Sequence, residues 1–198
     1  NRAFESLYEP GSVAKIASVA ALIESHADVS RIYPFRCRAY LTIGTENFLD
    51  WGAHRTVGSL ADAFNSSCNI AMAKMAPLIG AAALTQSLRS LGFGPQKPIP
   101  LEIPVELSRA PLDADTPYKL AYACCGLGAG FRITPLHAAM LAAAVANGGV
   151  MMTPTLVRDI RSVTGALIQE HEPQVYRIAM KKETAAALTE RMTDFVSA

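Results

Sequence analysis

Short apolar segments with helical spacing, separated by glycine and proline, are the feature that most limits what this chain can fold into. Apolar residues make up 51% of the 198 residues, yet the longest uninterrupted apolar run, residues 138–146, has only nine. A membrane-spanning helix needs about 20 such residues. The apolar side chains must therefore be buried between packed elements, and a chain of this length can hide roughly 70% of its extended-chain surface.

Helical periodicity recurs along the chain and is stopped by glycine, proline or asparagine. From Ser12, apolar residues at Val13 and Ile16 begin a spacing that is typical of a helix with one buried face. The pair Thr134-Pro135 is a strong helix start, with threonine as the cap and proline at the first helical position. Predicted helices span residues 12–25, 59–66 (capped by Ser59), 68–79, 81–91, 117–125, 134–146 and 182–195.

The other segments predict a small strand component. Residues 33–52 are rich in aromatic and β-branched side chains, with glycines as breakers, and indicate short strands and loops. Residues 155–171 indicate a hairpin that turns near Thr164-Gly165. Residues 95–115 contain five prolines and predict a long irregular loop. The predicted fold class is therefore α+β and dominated by helices, and no internal domain boundary is expected between residues 1 and 198.

Charge and cysteine usage exclude several classes of function. Eighteen basic and 17 acidic side chains give a net charge of +1 without a basic stripe, so we expect no nucleic-acid partner. The cysteines, at positions 37, 68, 124 and 125, form no C-x-x-C motif, and no histidine completes a zinc-type spacing. We interpret them as buried apolar thiols and expect neither a metal nor a cofactor.

The segment Ser12-Val13-Ala14-Lys15 places a hydroxyl and an amine on one face of the predicted helix. A serine at a helix start lies beside free backbone N–H groups, which can stabilise an oxyanion during acyl transfer. A desolvated lysine on that face can lose its proton and activate the hydroxyl. A Ser-x-x-Lys also occurs by chance about once in a chain of this length, so an N-cap serine beside a solvated lysine remains an alternative at this point.

A second candidate is Ser67-Cys68-Asn69, between two predicted helices. Ser67 offers a hydroxyl and Asn69 an amide, two residues apart across a bend, where both can point into one cleft. Alternatively, Ser67 is only the cap of the next helix.

Taken together, these segments resemble the transpeptidase domain of penicillin-binding proteins, from Tyr8 to about Val157. The Ser-x-x-Lys and Ser-x-Asn motifs belong to the signature of that superfamily. The matching segments follow the family's order: Tyr8-Glu9-Pro10-Gly11-Ser12 with Lys15, Ser67-Cys68-Asn69-Ile70-Ala71, Gly126-x-Gly128, Ile133-Thr134-Pro135-Leu136 and Ala146-Asn147-Gly148-Gly149. Trp51 resembles a structural aromatic residue of the same family.

The resemblance implies a catalytic role for four residues. Ser12 would be the acylated nucleophile, with its N–H as one oxyanion donor, and Lys15 would be its general base. Ser67 would relay a proton to the leaving amine, and Asn69 would hold Lys15 and the side-chain amide of the substrate. The implied substrate is the D-Ala-D-Ala end of a peptidoglycan stem peptide, and β-lactam antibiotics would acylate the same serine.

The chain departs from the family pattern in three places. Leu127 replaces the usual glutamine of the glycine loop, and Arg55 follows His54 where a glycine is common. No lysine begins the third motif, Lys-Thr/Ser-Gly, which lies in the family on a strand after the helix matching residues 182–195. We therefore expect a partial transpeptidase domain, the major helical part of the serine β-lactamase/transpeptidase-like fold with an incomplete central antiparallel sheet.

An incomplete sheet has consequences for the isolated chain and for its setting. We expect the chain alone to be weakly active or inactive, with an exposed apolar side that favours self-association. The chain opens on Asn1-Arg2-Ala3 without a methionine, a basic n-region or an h-region, so we expect no signal peptide in it. We expect a longer parent that is periplasmic or extracytoplasmic, contacts other cell-wall synthesis proteins, and is anchored in the inner membrane by a segment outside this chain.

Two alternatives stay open at this stage. A serine β-lactamase shares the first motif but deacylates quickly through a placed water, and the Thr134-Pro135-Leu136 block favours the transpeptidase. A non-catalytic penicillin-binding module could instead act as a scaffold in a cell-wall machine. Turnover of a chromogenic cephalosporin and covalent capture of penicillin distinguish these alternatives.

Overall fold

The computed structural model describes residues 1–94 and 98–197. Within these ranges a 3-10 turn, Gly11–Ala14, leads into six helices with eight short strands between them. The helices are α1 (Lys15–Glu24), α2 (Leu60–Asn65), α3 (Asn69–Ser90), α4 (Pro117–Cys124), α5 (Pro135–Ala146) and α6 (Lys182–Ser197). The strands are β1 (Phe35–Arg36), β2 (Tyr40–Ile43), β3 (Glu46–Leu49), β4 (Thr56–Val57), β5 (Val150–Met152), β6 (Asp159–Arg161), β7 (Leu167–Glu170) and β8 (Val175–Ile178).

Helix α1 is the centre of the core, because every residue from Lys15 to Leu22 is buried. It packs against α3, which in turn packs against α4. Gly80 interrupts α3 with a φ of +73° and a ψ of 155°, which confirms the two separate helices predicted on either side of it. In the part of the chain that the structure describes, no helix combines the length and the apolar character that crossing a membrane requires.

The start of the first helix differs from the prediction. Residues 11–14 form a 3-10 turn, and the α-helix begins at Lys15 rather than at Ser12. Gly11 enters this turn with a φ of +51°, a conformation that glycine adopts without steric cost. A tighter first turn is a common way to begin an α-helix, and here it brings the Ser12 side chain to the surface while Lys15 points inward.

Hydroxyl side chains cap the start of three helices. Ser59 accepts a hydrogen bond from the N–H of Asp62 at 3.1 Å, and Thr134 accepts one from the N–H of His137 at 3.2 Å. Both caps were predicted from the sequence. Thr116 caps α4 in the same way. Each such bond satisfies one of the four N–H groups that a helix start leaves without a partner.

The strands pair in twos, β1 with β4, β2 with β3, β5 with β8 and β6 with β7, and every pair is antiparallel. No larger sheet is present within residues 1–94 and 98–197, which agrees with the predicted helix-dominated α+β fold with an incomplete sheet. The β6–β7 hairpin confirms the predicted turn near Thr164-Gly165, where Gly165 N–H donates to the Ser162 carbonyl. The β5–β8 pair was not predicted.

The proline-rich segment is irregular, as expected, but side-chain and backbone hydrogen bonds hold it to the fold. Its first residues, 95–97, lie outside the described ranges. The Glu102 carboxylate accepts from the Thr155 hydroxyl at 2.5 Å and from the Leu156 N–H at 2.9 Å, and these hydrogen bonds lower the pKa of Glu102 to about 2. Further along, Arg109 pairs with Arg132 through two backbone hydrogen bonds. The segment therefore connects α3 to α4 as an anchored loop.

The interpretation of Trp51 as a structural aromatic is wrong, because its side chain is 96% exposed. Side chains alternate across an extended strand, so every second residue faces the same side. Phe48 in β3 is fully buried and Leu49 is 65% exposed. Continued past the strand, the same alternation buries the Asp50 side chain and exposes Trp51.

Candidate active site

Ser12 lies in the 3-10 turn with its side chain exposed to solvent. Its Oγ lies 2.6 Å from the Oγ of Ser67, which is 55 residues away in sequence. Lys15 Nζ donates to the same Ser12 oxygen at 3.3 Å. The structure thus brings together the hydroxyls of the two predicted serines and the amine of the predicted lysine.

Lys15 is 2% exposed, which is rare for a lysine and requires hydrogen-bond partners inside the protein. Besides Ser12, its Nζ donates to the Ser67 carbonyl at 2.5 Å and to Ser67 Oγ at 2.8 Å. These three acceptors match the three donors of an ammonium group. Burial nevertheless lowers the pKa of Lys15 below its ordinary value, while nearby Cys125, Asp50 and Cys68 act in the opposite direction. The arrangement holds a lysine that can release a proton more readily than an exposed one.

Ser67 connects α2 to α3 in a left-handed conformation with a φ of +54°. This conformation is uncommon for a residue other than glycine, and such residues concentrate at functional sites. The alternative that Ser67 is merely a helix cap does not hold, because the cap of α3 is Cys68, whose Sγ accepts from the Ala71 N–H at 3.4 Å. The Ser67 hydroxyl therefore forms its hydrogen bonds with Ser12 and Lys15 instead.

Asn69 is buried at the first position of α3, 5% exposed. Its backbone carbonyl accepts from the Cys125 thiol at 3.5 Å. The expected hydrogen bond between its side chain and Lys15 is not found among the described residues, where the lysine donates to Ser12 and Ser67 instead. The physical reason is that these acceptors already take up all three amine protons.

Asp50 belongs to this centre, although sequence reasoning missed it. Its side chain is 2% exposed and lies against the start of α3, where one carboxylate oxygen accepts from the N–H of Asn69 at 2.8 Å and of Ile70 at 3.4 Å. The same oxygen lies 3.3 Å from Nε2 of His54. A carboxylate at a helix N-terminus is stabilised by the helix dipole. Asp50 thus positions the backbone that carries Ser67 and Asn69, and the β3 alternation was the signal that could have revealed it.

The predicted glycine loop packs directly against the turn that carries Ser12. Gly126 has a φ of +74°, and a Cβ there would overlap the Gly11 carbonyl oxygen and press within 2.7 Å of Ala14 Cβ. Only glycine fits this contact. The loop therefore supports the turn that carries Ser12 by packing against Gly11 and Ala14.

A cavity of about 420 Å³ opens beside Ser12, Lys15 and Ser67. Its other walls come from α1, α2, α5 and α6 and are mostly apolar. The apolar lining residues are Val13, Ile16, Phe64, Ala138, Ala142 and Met192. The cavity gives the exposed Ser12 hydroxyl a space in which an acyl group can be held.

This arrangement suits nucleophilic acyl transfer. An exposed serine hydroxyl, a buried lysine of lowered pKa and a second serine within hydrogen-bond reach of both supply a nucleophile, a base and a proton path. Three potential metal ligands, Cys37, Asp50 and Cys68, also lie within 4.8 Å of one another. One Asp50 oxygen accepts from the Trp51 N–H and the other from the Asn69 N–H, so the carboxylate has hydrogen-bond partners within the protein.

Comparison with known proteins agrees with this geometry. Residues 1–198 match the family described as penicillin binding protein transpeptidase domain. Peptidoglycan D,D-transpeptidase PbpA of Mycobacterium tuberculosis (strain ATCC 25618 / H37Rv) is 31% identical over 198 residues, which cover 97% of this chain and 39% of that protein. Probable peptidoglycan D,D-transpeptidase FtsI of Caulobacter vibrioides is 31% identical over 177 residues, which cover 86% of this chain and 29% of that protein.

Solved structures give the same result for the fold. Penicillin-binding protein A from M. tuberculosis, as a penicillin G acyl-enzyme complex, aligns with a TM-score of 0.86 and 29% identity over 100% of this chain and 46% of that one. The D,D-transpeptidase domain of a peptidoglycan glycosyltransferase from Eggerthella lenta aligns with a TM-score of 0.87 and 27% identity. The alignment covers 99% of this chain and 50% of that one. The chain spans about two-fifths of the length of the PbpA relative. The chain belongs to the penicillin-binding protein transpeptidase domain family.

Proposed function

We propose that this chain carries the acylation centre of a peptidoglycan D,D-transpeptidase and reacts through a serine ester. The observation that carries the proposal is the hydrogen-bonded centre of Ser12, Lys15 and Ser67. Support comes from relatives named peptidoglycan D,D-transpeptidase and from a similar structure described as a penicillin G acyl-enzyme complex.

In the proposed reaction, Lys15 takes the hydroxyl proton as Ser12 Oγ attacks the carbonyl carbon between the two D-alanines of a stem peptide. The backbone N–H of Ser12 contributes to stabilising the oxyanion. The C–N bond then breaks, and the proton passes through Ser67 to the amine of the leaving D-alanine. An amine of a second stem peptide attacks the acyl-serine and completes the cross-link. Asn69 is proposed to bind the substrate's side-chain amide.

β-Lactam antibiotics enter the same step, because their strained amide offers Ser12 a carbonyl and leaves a stable acyl-enzyme. The working partners are therefore stem peptides and β-lactams, with other cell-wall synthesis proteins contacting the parent. Peptidoglycan lies outside the cytoplasm, so we propose an extracytoplasmic, periplasmic site for this chain. Anchoring of the parent in the inner membrane by a segment outside this chain, and self-association through the exposed apolar side, are part of the same proposal.

Covalent labelling with a fluorescent penicillin tests the nucleophile. We expect the wild-type protein to be labelled and Ser12→Ala to lose labelling entirely, because the variant lacks the oxygen proposed to form the acyl ester. Ser66→Ala is the matched control, since Ser66 is exposed and its hydroxyl donates to the Asp62 carbonyl. Labelling that persists in Ser12→Ala refutes the assignment, and absence of labelling in the wild type favours a non-catalytic module.

Kinetics with a chromogenic cephalosporin distinguishes the transpeptidase from a serine β-lactamase. A transpeptidase centre gives one burst of colour per protein molecule and then slow turnover, because the acyl-enzyme persists. Sustained rapid hydrolysis would instead require a deacylating water and would favour the β-lactamase.

A further inference from the structure

Two buried cysteines, Cys37 and Cys68, lie side by side, and Cys68 is the middle residue of the Ser67–Asn69 segment. The Sγ atoms of Cys37 and Cys68 are 3.7 Å apart, and the two residues are 3% and 0% exposed. Both are free thiols here. A disulfide has a sulfur–sulfur bond of about 2.05 Å, so the two sulfurs need to approach by about 1.7 Å, a movement within the reach of side-chain rotation.

The two cysteines belong to different parts of the fold. Cys68 is the cap of α3 and separates Ser67 from Asn69 in the chain. Cys37 directly follows β1, which pairs with β4, and its N–H donates to the Arg55 carbonyl at 3.1 Å. A bond between them would therefore tie the β1–β4 pair to the backbone that carries the Ser67 hydroxyl and carbonyl, the acceptors of Lys15.

We propose that Cys37 and Cys68 are a redox pair that closes to an intramolecular disulfide beneath the acylation centre. The proposal rests on the proposed function in one respect, because an extracytoplasmic compartment is one in which disulfides form and persist. The oxidant is a small or protein disulfide, R–S–S–R. One cysteine thiolate attacks it and releases R–SH, and the second cysteine then attacks the mixed disulfide and releases another R–SH. The two cysteine sulfurs are oxidised, the two sulfurs of the oxidant are reduced, and both protons leave on the R–SH products.

The burial of the two thiols determines when the disulfide can form. Burial raises the pKa of the Cys68 thiol to about 12, so almost no thiolate is present in the folded protein near neutral pH. We therefore expect the bond to form as the chain folds, before α3 and β1 enclose the two thiols, and to resist reduction afterwards.

Other uses of this cluster are less favourable. Asp50 could join the two thiols as a metal ligand, since the three donor atoms lie within 4.8 Å. However, one of its oxygens accepts from Asn69 N–H and the other from Trp51 N–H, so the carboxylate is already hydrogen-bonded within the protein. Of the remaining cysteines, Cys125 already uses its thiol to donate to the Asn69 carbonyl.

The test is to refold the purified protein in glutathione buffers of graded redox potential, block free thiols with N-ethylmaleimide, and map the modified peptides by mass spectrometry. We expect oxidised wild type to lose two hydrogens, to join the Cys37 and Cys68 peptides, and to leave two thiols for blocking. Oxidation should raise the melting temperature by roughly 5–10 °C, because the bond closes a loop of about 30 residues. Cys37→Ser should lose both effects, and the matched control Cys124→Ser should keep both.

Three outcomes overturn the proposal. One is four blocked thiols under the most oxidising buffer, another is a bridge that uses Cys124 or Cys125, and the third is one equivalent of zinc that protects Cys37 and Cys68 from blocking. Mapping needs no reaction with penicillin. A protein that forms the bond but is never labelled would therefore refute the proposed function alone, and a labelled protein with four free thiols would refute the disulfide alone.

Discussion

The proposed acylation centre and the β6–β7 hairpin were both predicted from the sequence, but different forces hold them. At the centre, residues from the 3-10 turn and the α2–α3 connection meet at Lys15, a buried lysine whose three donors all have acceptors. In the hairpin, every residue of β7 is exposed, and Val163 at the turn is fully exposed. The centre depends on tertiary packing, whereas the hairpin depends on its local turn and strand pairing.

This difference sets how each region should respond to substitution. A buried polar centre is costly to disturb, since each lost partner leaves a desolvated group behind. An exposed hairpin loses little when a side chain changes, because water replaces most of what is removed. Four substitutions, from the largest expected effect to the smallest, test this contrast.

Lys15→Arg should reduce the rate of penicillin acylation by about 10³-fold, because a guanidinium stays protonated and cannot act as a base. Stopped-flow measurement of acylation gives the rate. Lys119→Arg is the matched control, since Lys119 is exposed and pairs with Asp115 at 2.8 Å, and it should leave the rate unchanged. An arginine variant that acylates as fast as wild type would show that Lys15 acts only through its charge.

The wild-type pH profile provides a second test of Lys15. Because burial lowers its pKa, the neutral amine becomes available at a lower pH than for an exposed lysine, and acylation should rise as pH increases through that lowered value. The stability contribution has the same sign. Between the folded and unfolded pKa values the unfolded chain binds more protons, so the contribution of Lys15 to stability increases with pH. An acylation rate that stays flat up to the ordinary lysine pKa would contradict the first expectation. A free energy of unfolding that does not increase with pH over the same range would contradict the second.

Gly126→Ala should destabilise the fold by about 3 kcal/mol, because its Cβ would overlap the Gly11 carbonyl at a positive φ. Thermal unfolding measures this loss. Gly128→Ala is the matched control, since Gly128 also has a positive φ, +115°, but has open space around its Cβ position. The control should show only the backbone strain, about 1–2 kcal/mol. Equal losses in the two variants would mean that the loop does not press on the Ser12 turn.

Gly126 and Gly128 also show which features could be predicted from the sequence and which could not. Glycine spacing identified the loop, but the contact between Gly126 and Gly11 joins residues more than 100 positions apart, and no local pattern encodes it. The convergence of Ser12 with Ser67 was predictable only because both segments matched one family order. The helices were predictable from periodicity, since a buried face repeats every turn.

Asp50→Asn should cost about 1–2 kcal/mol, because the amide has one acceptor oxygen where the carboxylate uses two, and the charge at the α3 N-terminus is lost. Since Asp50 also raises the pKa of Lys15, the variant should shift the acylation profile to lower pH. Asp115→Asn, at an exposed residue, is the control for both measurements. An unchanged pH profile of acylation would show that Asp50 does not influence the pKa of Lys15.

Asp50 and Trp51 were the harder residues to predict. A single carboxylate beside an aromatic has no spacing that marks it as functional, and only the burial of Phe48 in β3 determines which of the two faces inward. The β5–β8 pair was missed for a similar reason, since a three-residue strand that joins a distant one has almost no periodicity of its own.

The smallest expected effect comes from making one substitution in both regions. Val163→Ala in the hairpin removes two methyl groups that are already in water, so the free energy of unfolding should change by less than about 0.5 kcal/mol. Val19→Ala removes the same groups from the fully buried face of α1, next to the turn that holds Lys15. There the lost burial and the cavity left behind should cost about 2 kcal/mol, or roughly 4–8 °C in melting temperature. Because the chemistry of the two changes is identical, the difference between them measures packing alone. If Val163→Ala destabilised the protein as much as Val19→Ala, the hairpin would be held by tertiary contacts as the centre is, and the contrast between the two regions would fail.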